Sequence, residues 1–402
     1  MFVKFETIAY TSQNFFMPVT DSLSIQSKLP DVGTTIFTKM SKMAHEVGAI
    51  NLSQGFPDFP VSEELIDRVA HYMREGMNQY APMPGMPALR KAIAAKLERT
   101  FGIQVNPEEE ITVSSGATEA LFAVIAALVH EGDEVIVLDP AYDSYVPAAE
   151  LQGAIVKRVP LDSKTFAPDW EAIEAAVSPK TRLLVLNTPH NPTGAVWQQE
   201  DMERLQELVK KHRFWVLSDE VYEHIIFDEQ EHQSILRFPE LRKYAAAVYS
   251  FGKTFHATGW KTGYVVAPPL LMKEIRKVHQ YLTFSTHTPT QLALADYLQE
   301  PQHYESLPRF YQQKRDVFLR LMEKSRFRPI PCSGTYFQLY SYADISDKPD
   351  VEMAEWLTRE KGVASIPVSV FYEQGQDQRL LRFCFAKNEE TLQQAADILC
   401  RI

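Results

Sequence analysis

The chain has little cysteine. Cys332, Cys384 and Cys400 are its only three in 402 residues, and no two form a CxxC pair. Such spacing excludes a zinc cluster, and an odd, scattered set fits a reducing compartment better than a disulfide framework. Basic charge is also short: 41 Lys and Arg stand against 52 Asp and Glu, a formal net charge of −11. A general nucleic-acid or anionic-membrane binder would carry a basic face, so neither is expected as a partner. No apolar run approaches the ~20 residues of a membrane-spanning helix. The start, MFVKFETIAYTSQNFF, lacks a basic stretch followed by a continuous apolar one, which makes it a poor signal peptide. Residues 1–25 are read as an N-terminal extension of undetermined role, and the cytoplasm is the expected location. Repeats and low-complexity linkers are absent as well.

What is present is an ordinary globular balance, 45% hydrophobic and 23% charged, with enough apolar material for a large core. The length suggests two domains, or one large domain with a satellite. The middle of the chain alternates short apolar runs with helical patterns. GDEVIVLD, AIVKRV (154–159), RLLVLN (182–187), FWVLSD (214–219) and AAAVYSF (245–251) read as strands. TEALFAVIAALVH (118–130), DWEAIEAAV (169–177) and QEDMERLQELVKKH read as helices. Alternation of this kind predicts an α/β fold with a mostly parallel sheet and helices on both faces. Beyond about residue 300 a long helix, PRFYQQKRDVFLRLMEKS, precedes three strand-like runs, GTYFQLY, VASIPVS and LLRFCFA, and a terminal helix follows Asn388. That pattern predicts a smaller α+β domain.

Gly252-Lys253-Thr254 ends like a nucleotide-binding P-loop, but the motif needs a glycine five positions before Gly252, where Ala247 stands in an apolar run. Gly259 and Gly263 also oppose the uninterrupted helix that should follow. Lys253 therefore has some other task, or is a plain surface lysine.

Three further polar clusters share its setting at strand ends, where ligands bind in open α/β sheets. SSGATEA (114–120) turns from a strand into a helix through a glycine, and a helix start is an anion site to which Thr118 can add a hydroxyl. NTPHNPTG (187–194) is a rigid loop presenting the Asn191 amide. SDEVYEH (218–224) places Asp219 at the end of a buried strand, where a carboxylate needs a partner, with the Tyr222 phenol three residues on. Each has a bland reading of its own: an N-cap, a tight turn, a capping aspartate. Together with a lysine able to form a Schiff base, they make up the donor set for pyridoxal 5′-phosphate (PLP), which needs a phosphate cradle, a carboxylate on its ring nitrogen, donors to its ring oxygen and an amine on its aldehyde.

On NLSQGFPDF, NTPHNPTG, SDEVYEH, SFGKTFHATGWK and RFCFAK the sequence resembles the fold-type I PLP-dependent aminotransferases of class I/II, nearest the bacterial methionine and the kynurenine/glutamine aminotransferases. The likeness runs from about Leu29 to the C-terminus. It implies a large PLP-binding domain over 61–295, a small domain over 296–402, and a segment over 26–60 packing with the small domain.

The resemblance also implies roles. Lys253 corresponds to the Schiff-base lysine that shuttles the substrate Cα proton, Asp219 to the carboxylate on the ring nitrogen, and Asn191 and Tyr222 to donors on the ring oxygen. Tyr142 corresponds to the aromatic stacked on the ring. Ala117, Thr118, Ser250 and Lys261 correspond to the phosphate cradle; many relatives carry arginine at the last of these, and lysine keeps the charge without the fork. Tyr80 corresponds to a tyrosine reaching the phosphate across a homodimer interface. Arg382 corresponds to the clamp on the substrate α-carboxylate, and Gly55 to a backbone contact on the same group. Phe284, Tyr80 and Phe37 are candidates for the side-chain pocket. No further arginine is placed for a distal carboxylate. The implied reaction moves the amino group of a large apolar, sulfur-bearing or aromatic L-amino acid, methionine-like favoured, to a 2-oxo acid. A cysteine-conjugate carbon–sulfur β-lyase on the same site is the alternative. A non-catalytic DNA-binding regulator on this fold is opposed by the charge and by the shortness of the N-terminal extension.

Overall fold

A computed structural model of the protein describes residues 25–402. The N-terminal extension expected over 1–25 lies outside them, but for its last residue.

The larger sheet has seven strands. Across it lie Ile111–Ser114, Gly263–Val266, Ala245–Ser250, Trp215–Asp219, Thr181–Asn187, Glu134–Asp139 and Ile155–Pro160. Every pairing from Ala245–Ser250 to Ile155–Pro160 is parallel. Gly263–Val266 runs antiparallel between its two neighbours, so the sheet is mixed but mostly parallel.

Both faces of this sheet are covered, and the strand residues show it by alternation. Leu184 and Leu186 enter one apolar core with Ile136, Leu138 and Val216. Leu183 and Val185 enter another with Val135, Val137 and Leu217. Successive side chains of a strand point to opposite faces, so a continuous run of aliphatics is what a doubly covered strand needs. Gly116–Leu128, apolar nearly all round, fills the second core. Gln199–His212 is amphipathic and buries Met202, Leu205, Leu208 and Val209 in the first. Its ends are marked by a Gln198/Asp201 capping box and a basic last turn, both of which complement the helix dipole.

The C-terminal part holds a four-stranded antiparallel sheet ordered Ile366–Pro367, Leu380–Cys384, Phe337–Ser341 and Arg328–Pro329. The helices Leu307–Leu321 and Glu389–Leu399 accompany it. One expectation needs correction. VASIPVS is not a single strand: Val363–Ala364 pairs in parallel with Ile50–Asn51, and Ile366–Pro367 pairs with Leu380–Cys384. Ser365, between them, is where the chain passes from one sheet to the other. The N-terminal segment is tied to this part a second time, since Leu52 O accepts from Cys384 N at 2.8 Å.

Candidate active site

A cavity of about 340 Å³ opens at the carboxyl ends of the parallel strands, between the two sheets. Its floor is built by short segments that each follow a strand. Lys253 sits in the single turn Phe251–Thr254 directly after Ala245–Ser250. Burial holds its amine below the usual range, at about 8, and the positive charges of Arg382 and Lys261 act in the same direction against Cys384 and Asp219. Nζ donates to the Gly55 carbonyl at 3.0 Å and to the Tyr336 hydroxyl at 2.9 Å.

Asp219 closes the strand Trp215–Asp219 and is buried. Its Oδ2 accepts from the Tyr145 hydroxyl at 2.6 Å and its Oδ1 from Val221 N at 3.3 Å. Burial raises its carboxyl to about 6, although both hydrogen bonds and Lys253 pull it down. The segment that follows is fixed from beneath. Glu220 accepts from Ile235 N, Ser218 Oγ and the Tyr249 hydroxyl at 2.8–2.9 Å, with His232 Nε2 also 2.9 Å away. Glu223 pairs with the buried amine of Lys96. Between these two anchors stands Tyr222, whose hydroxyl is kept protonated by burial.

Arg382 comes from the smaller sheet and is 1% exposed. Its guanidinium stacks on Phe337 at 3.9 Å from the ring centre, with Phe37 at 5.2 Å. It donates to Asn191 Oδ1 at 2.6 Å and to the Ser53 carbonyl at 3.1 Å, while Nε is buried without a partner. Arginine only donates, so the oxygen of Asn191 must face it, and the Asn191 amide NH2 is left for the cavity. Among the described residues no carboxylate lies within ion-pair distance of Arg382. Burial lowers its proton affinity to about 10, which leaves it charged near neutrality.

At the other end the helix Gly116–Leu128 points its N-terminus into the cavity. Gly116 takes a left-handed φ of 73°. A Cβ there would stand 3.4 Å from Lys261 Nζ, so the amine lies against the opening of the helix. Gly263 is needed for the same junction: a Cβ on it would meet Tyr249 O at 2.6 Å and Ala117 N at 3.0 Å. Glu119, in the first turn, is occupied elsewhere, by Ser115 N and His279.

The chain matches the family model for aminotransferase class I and II over residues 47–399. The chain belongs to the class I and II aminotransferases. It is 56% identical over 375 residues to the methionine aminotransferase of Escherichia coli, covering 93% of this chain and 97% of that protein. The solved structure of Escherichia coli YbdL, described as having a methionine aminotransferase function, superposes with a TM-score of 0.93 at 55% identity, over 94% of this chain and all of that one. The kynurenine–oxoglutarate transaminase of Dictyostelium discoideum is 35% identical over 92% of this chain and 94% of its own length.

As an aminotransferase, the protein brings most of its sequence-predicted site residues to one place. Gly55, Ala117, Thr118, Tyr142, Asn191, Asp219, Tyr222, Ser250, Lys253, Lys261 and Arg382 all line the cavity, and so does Phe37. Tyr80 and Phe284 do not. They pack on each other at the surface, ring centres 5.4 Å apart, and Tyr80 is 83% exposed. Sequence reasoning missed Tyr145, Tyr336 and Phe337, although Tyr145 stands only three residues after Tyr142. No helix among the described residues is long and apolar enough to cross a membrane.

Proposed function

We propose that this aminotransferase uses PLP to move the amino group of a large apolar, sulfur-bearing or aromatic L-amino acid, methionine-like favoured, to a 2-oxo acid. The observation that carries the reading is Arg382: a buried guanidinium, held only by neutral oxygens and open to the cavity, wants an anion. An amino acid's α-carboxylate is such an anion.

The cavity fits PLP on three counts. The helix start at Gly116, with Ser250 and Lys261 beside it, suits a phosphate. Asp219 is a buried carboxylate raised by burial, and a protonated ring nitrogen would supply the positive charge it lacks. Lys253 is an amine at the cavity wall whose pKa burial lowers to about 8. Bound PLP supplies an aldehyde for the donor's amine and a ring that takes up charge from its Cα.

The chain's own residues do the rest. Arg382 fixes the donor by its carboxylate, and Ser53 and Asn191 fix Arg382. Lys253 Nζ takes the proton from the donor's Cα and returns it, work for which a pKa near the operating pH is suited. Tyr145 and Val221 N aim Asp219. The Asn191 amide and the Tyr222 hydroxyl would donate to the ring oxygen, and Tyr142, Phe37 and Phe337 wall the cavity.

This chain's own cations support the substrate class. Lys253, Lys261 and Arg382 are the only lysines and arginine lining the cavity among the described residues. The cofactor's aldehyde, its phosphate and the α-carboxylate would occupy them, and none is left on this chain for a second carboxylate. The named relatives are transaminases, and the carbon–sulfur lyase alternative is not favoured. The exposed Tyr80–Phe284 pair supports a homodimer in which each chain completes its neighbour's site. We also propose the division into a large domain over 61–295, a small one over 296–402 and a bridging segment over 26–60, and a cytoplasmic location consistent with three free cysteines.

The test is a half-reaction screen. The PLP-loaded protein is mixed with each amino acid in turn, and the cofactor's absorbance change is followed. Methionine and the aromatic amino acids should react fastest. Fastest reaction with aspartate or glutamate, or reaction with none, would defeat the reading.

A further inference from the structure

We propose that Tyr336 is a positioning residue for Lys253: its hydroxyl and the Gly55 carbonyl hold both hydrogens of the neutral amine, leaving the Nζ lone pair free for the proton in transit. The inference rests on the proposed function and adds a residue to it.

The geometry is a closed triangle. The Tyr336 hydroxyl has one hydrogen, and it goes to the Gly55 carbonyl at 2.6 Å. Its oxygen is therefore the acceptor for Lys253 Nζ at 2.9 Å. The second hydrogen of the amine goes to the same Gly55 carbonyl at 3.0 Å. A neutral amine has two N–H groups and one lone pair. With both N–H groups held, the lone pair has one direction left, and Lys253 lines the cavity.

The proton step then balances simply. The donor's Cα–H bond breaks, its electron pair stays with donor and cofactor, and an N–H bond forms where the lone pair was. In the ammonium so formed, the new hydrogen lies along the line by which it arrived. Its return needs no rotation of the lysine.

Tyr336 is suited to the task because its ring is packed in place. It is fully buried, and its ring lies edge-on to Tyr222 at 5.2 Å and to Phe337 at 4.9 Å, with Tyr311 at 5.7 Å. Burial pushes its hydroxyl well above the usual range, so it stays protonated and keeps its bond to Gly55. A merely structural role would pin the Gly55 loop to the smaller sheet and leave Lys253 unaffected.

The variant is Tyr336→Phe, which removes one oxygen and keeps the ring packing; its fold is checked by thermal melting. Two readouts separate positioning from structure. In the cofactor-free chain, the midpoint of Lys253 titration is read by NMR with ¹⁵N-lysine. The hydroxyl oxygen accepts from the ammonium, so its loss should lower that midpoint below the wild-type value. The other groups facing Lys253, namely Arg382, Cys384, Asp219, Lys261 and Tyr222, are unchanged in the variant. In the PLP-loaded protein, exchange of the donor's Cα hydrogen with solvent should slow about tenfold, part of the ~10²- to 10⁴-fold that a positioned acid–base group supplies. The donor's KM should stay near wild type. An unchanged midpoint, or unchanged exchange in a protein whose wild type transaminates, overturns the inference. A wild type that transaminates no amino acid defeats the proposed function instead, and the titration still decides whether Tyr336 holds Lys253.

Discussion

Arg382 and Asn191 meet at 2.6 Å across the seam between the two sheets. Arg382 comes from the antiparallel sheet, and Asn191 from the loop after the parallel strand Thr181–Asn187. The residue that would clamp the substrate is thus oriented by the residue that would face the cofactor. A substrate carboxylate held by Arg382 would thus be coupled to both parts of the molecule.

Arg382→Lys keeps the charge but loses the fork and the stacking on Phe337. The lost charge-assisted hydrogen bond is worth ~1.5–3 kcal/mol. Steady-state kinetics should show kcat/KM for the amino donor lower by about tenfold to a hundredfold, mainly through KM. A near-normal KM would remove Arg382 from the carboxylate site.

Asp219→Asn should lower kcat/KM by about 10²- to 10³-fold, the range for removing one aimed electrostatic group. The same variant has a signature in stability. Burial raises the folded-state pKa from 3.8 to about 6, so between those values the cofactor-free folded chain keeps a proton that the unfolded chain releases. The wild type's stability relative to the variant is therefore full below about pH 4 and is lost as pH rises through 6, by at most ~3 kcal/mol. Denaturant melts of both cofactor-free proteins across this window check it; parallel curves would contradict the burial of the carboxylate.

Tyr145→Phe removes the hydrogen bond at 2.6 Å that holds Asp219 Oδ2 down in pKa. The Asp219 midpoint in the cofactor-free chain, followed by ¹³C NMR, should rise above that of the wild type. A fall, or no change, would mean that Tyr145 bonds elsewhere in solution.

Tyr80→Ala and Lys253→Ala, each weak or inactive alone, should regain activity when mixed under subunit exchange. If Tyr80 acts across a dimer, the chain with an intact Lys253 receives an intact Tyr80 from its neighbour. Each mixed dimer then has one complete site. No regain despite verified exchange would place Tyr80 outside the neighbour's site.

Much of this was legible in the residues, for a physical reason. Strand ends concentrate polar groups against a background of aliphatics, so Asp219 after FWVL or Asn191 between two prolines stands out. Doubly covered strands also announce themselves as continuous runs. The strand Gly263–Val266 was not read: it has four residues, follows a left-handed Lys261, and is antiparallel to both neighbours, which no local pattern records. Tyr336 was hidden differently. In GTYFQLY it is one aromatic of a strand-like run, and only the fold brings it to Lys253, 83 positions away. Tyr145 reaches Asp219 over 74 positions, and nothing in DPAYDSY tells the stacking candidate Tyr142 from the hydrogen-bonding one.

The most direct test of the account is where the cofactor attaches. Borohydride reduction of the PLP-loaded protein, followed by peptide mapping, should place the pyridoxyl group on Lys253, and Lys253→Ala should carry none and barely turn over. A pyridoxyl group on Lys261 or any other lysine, with Lys253 unmodified, would contradict the account at its centre.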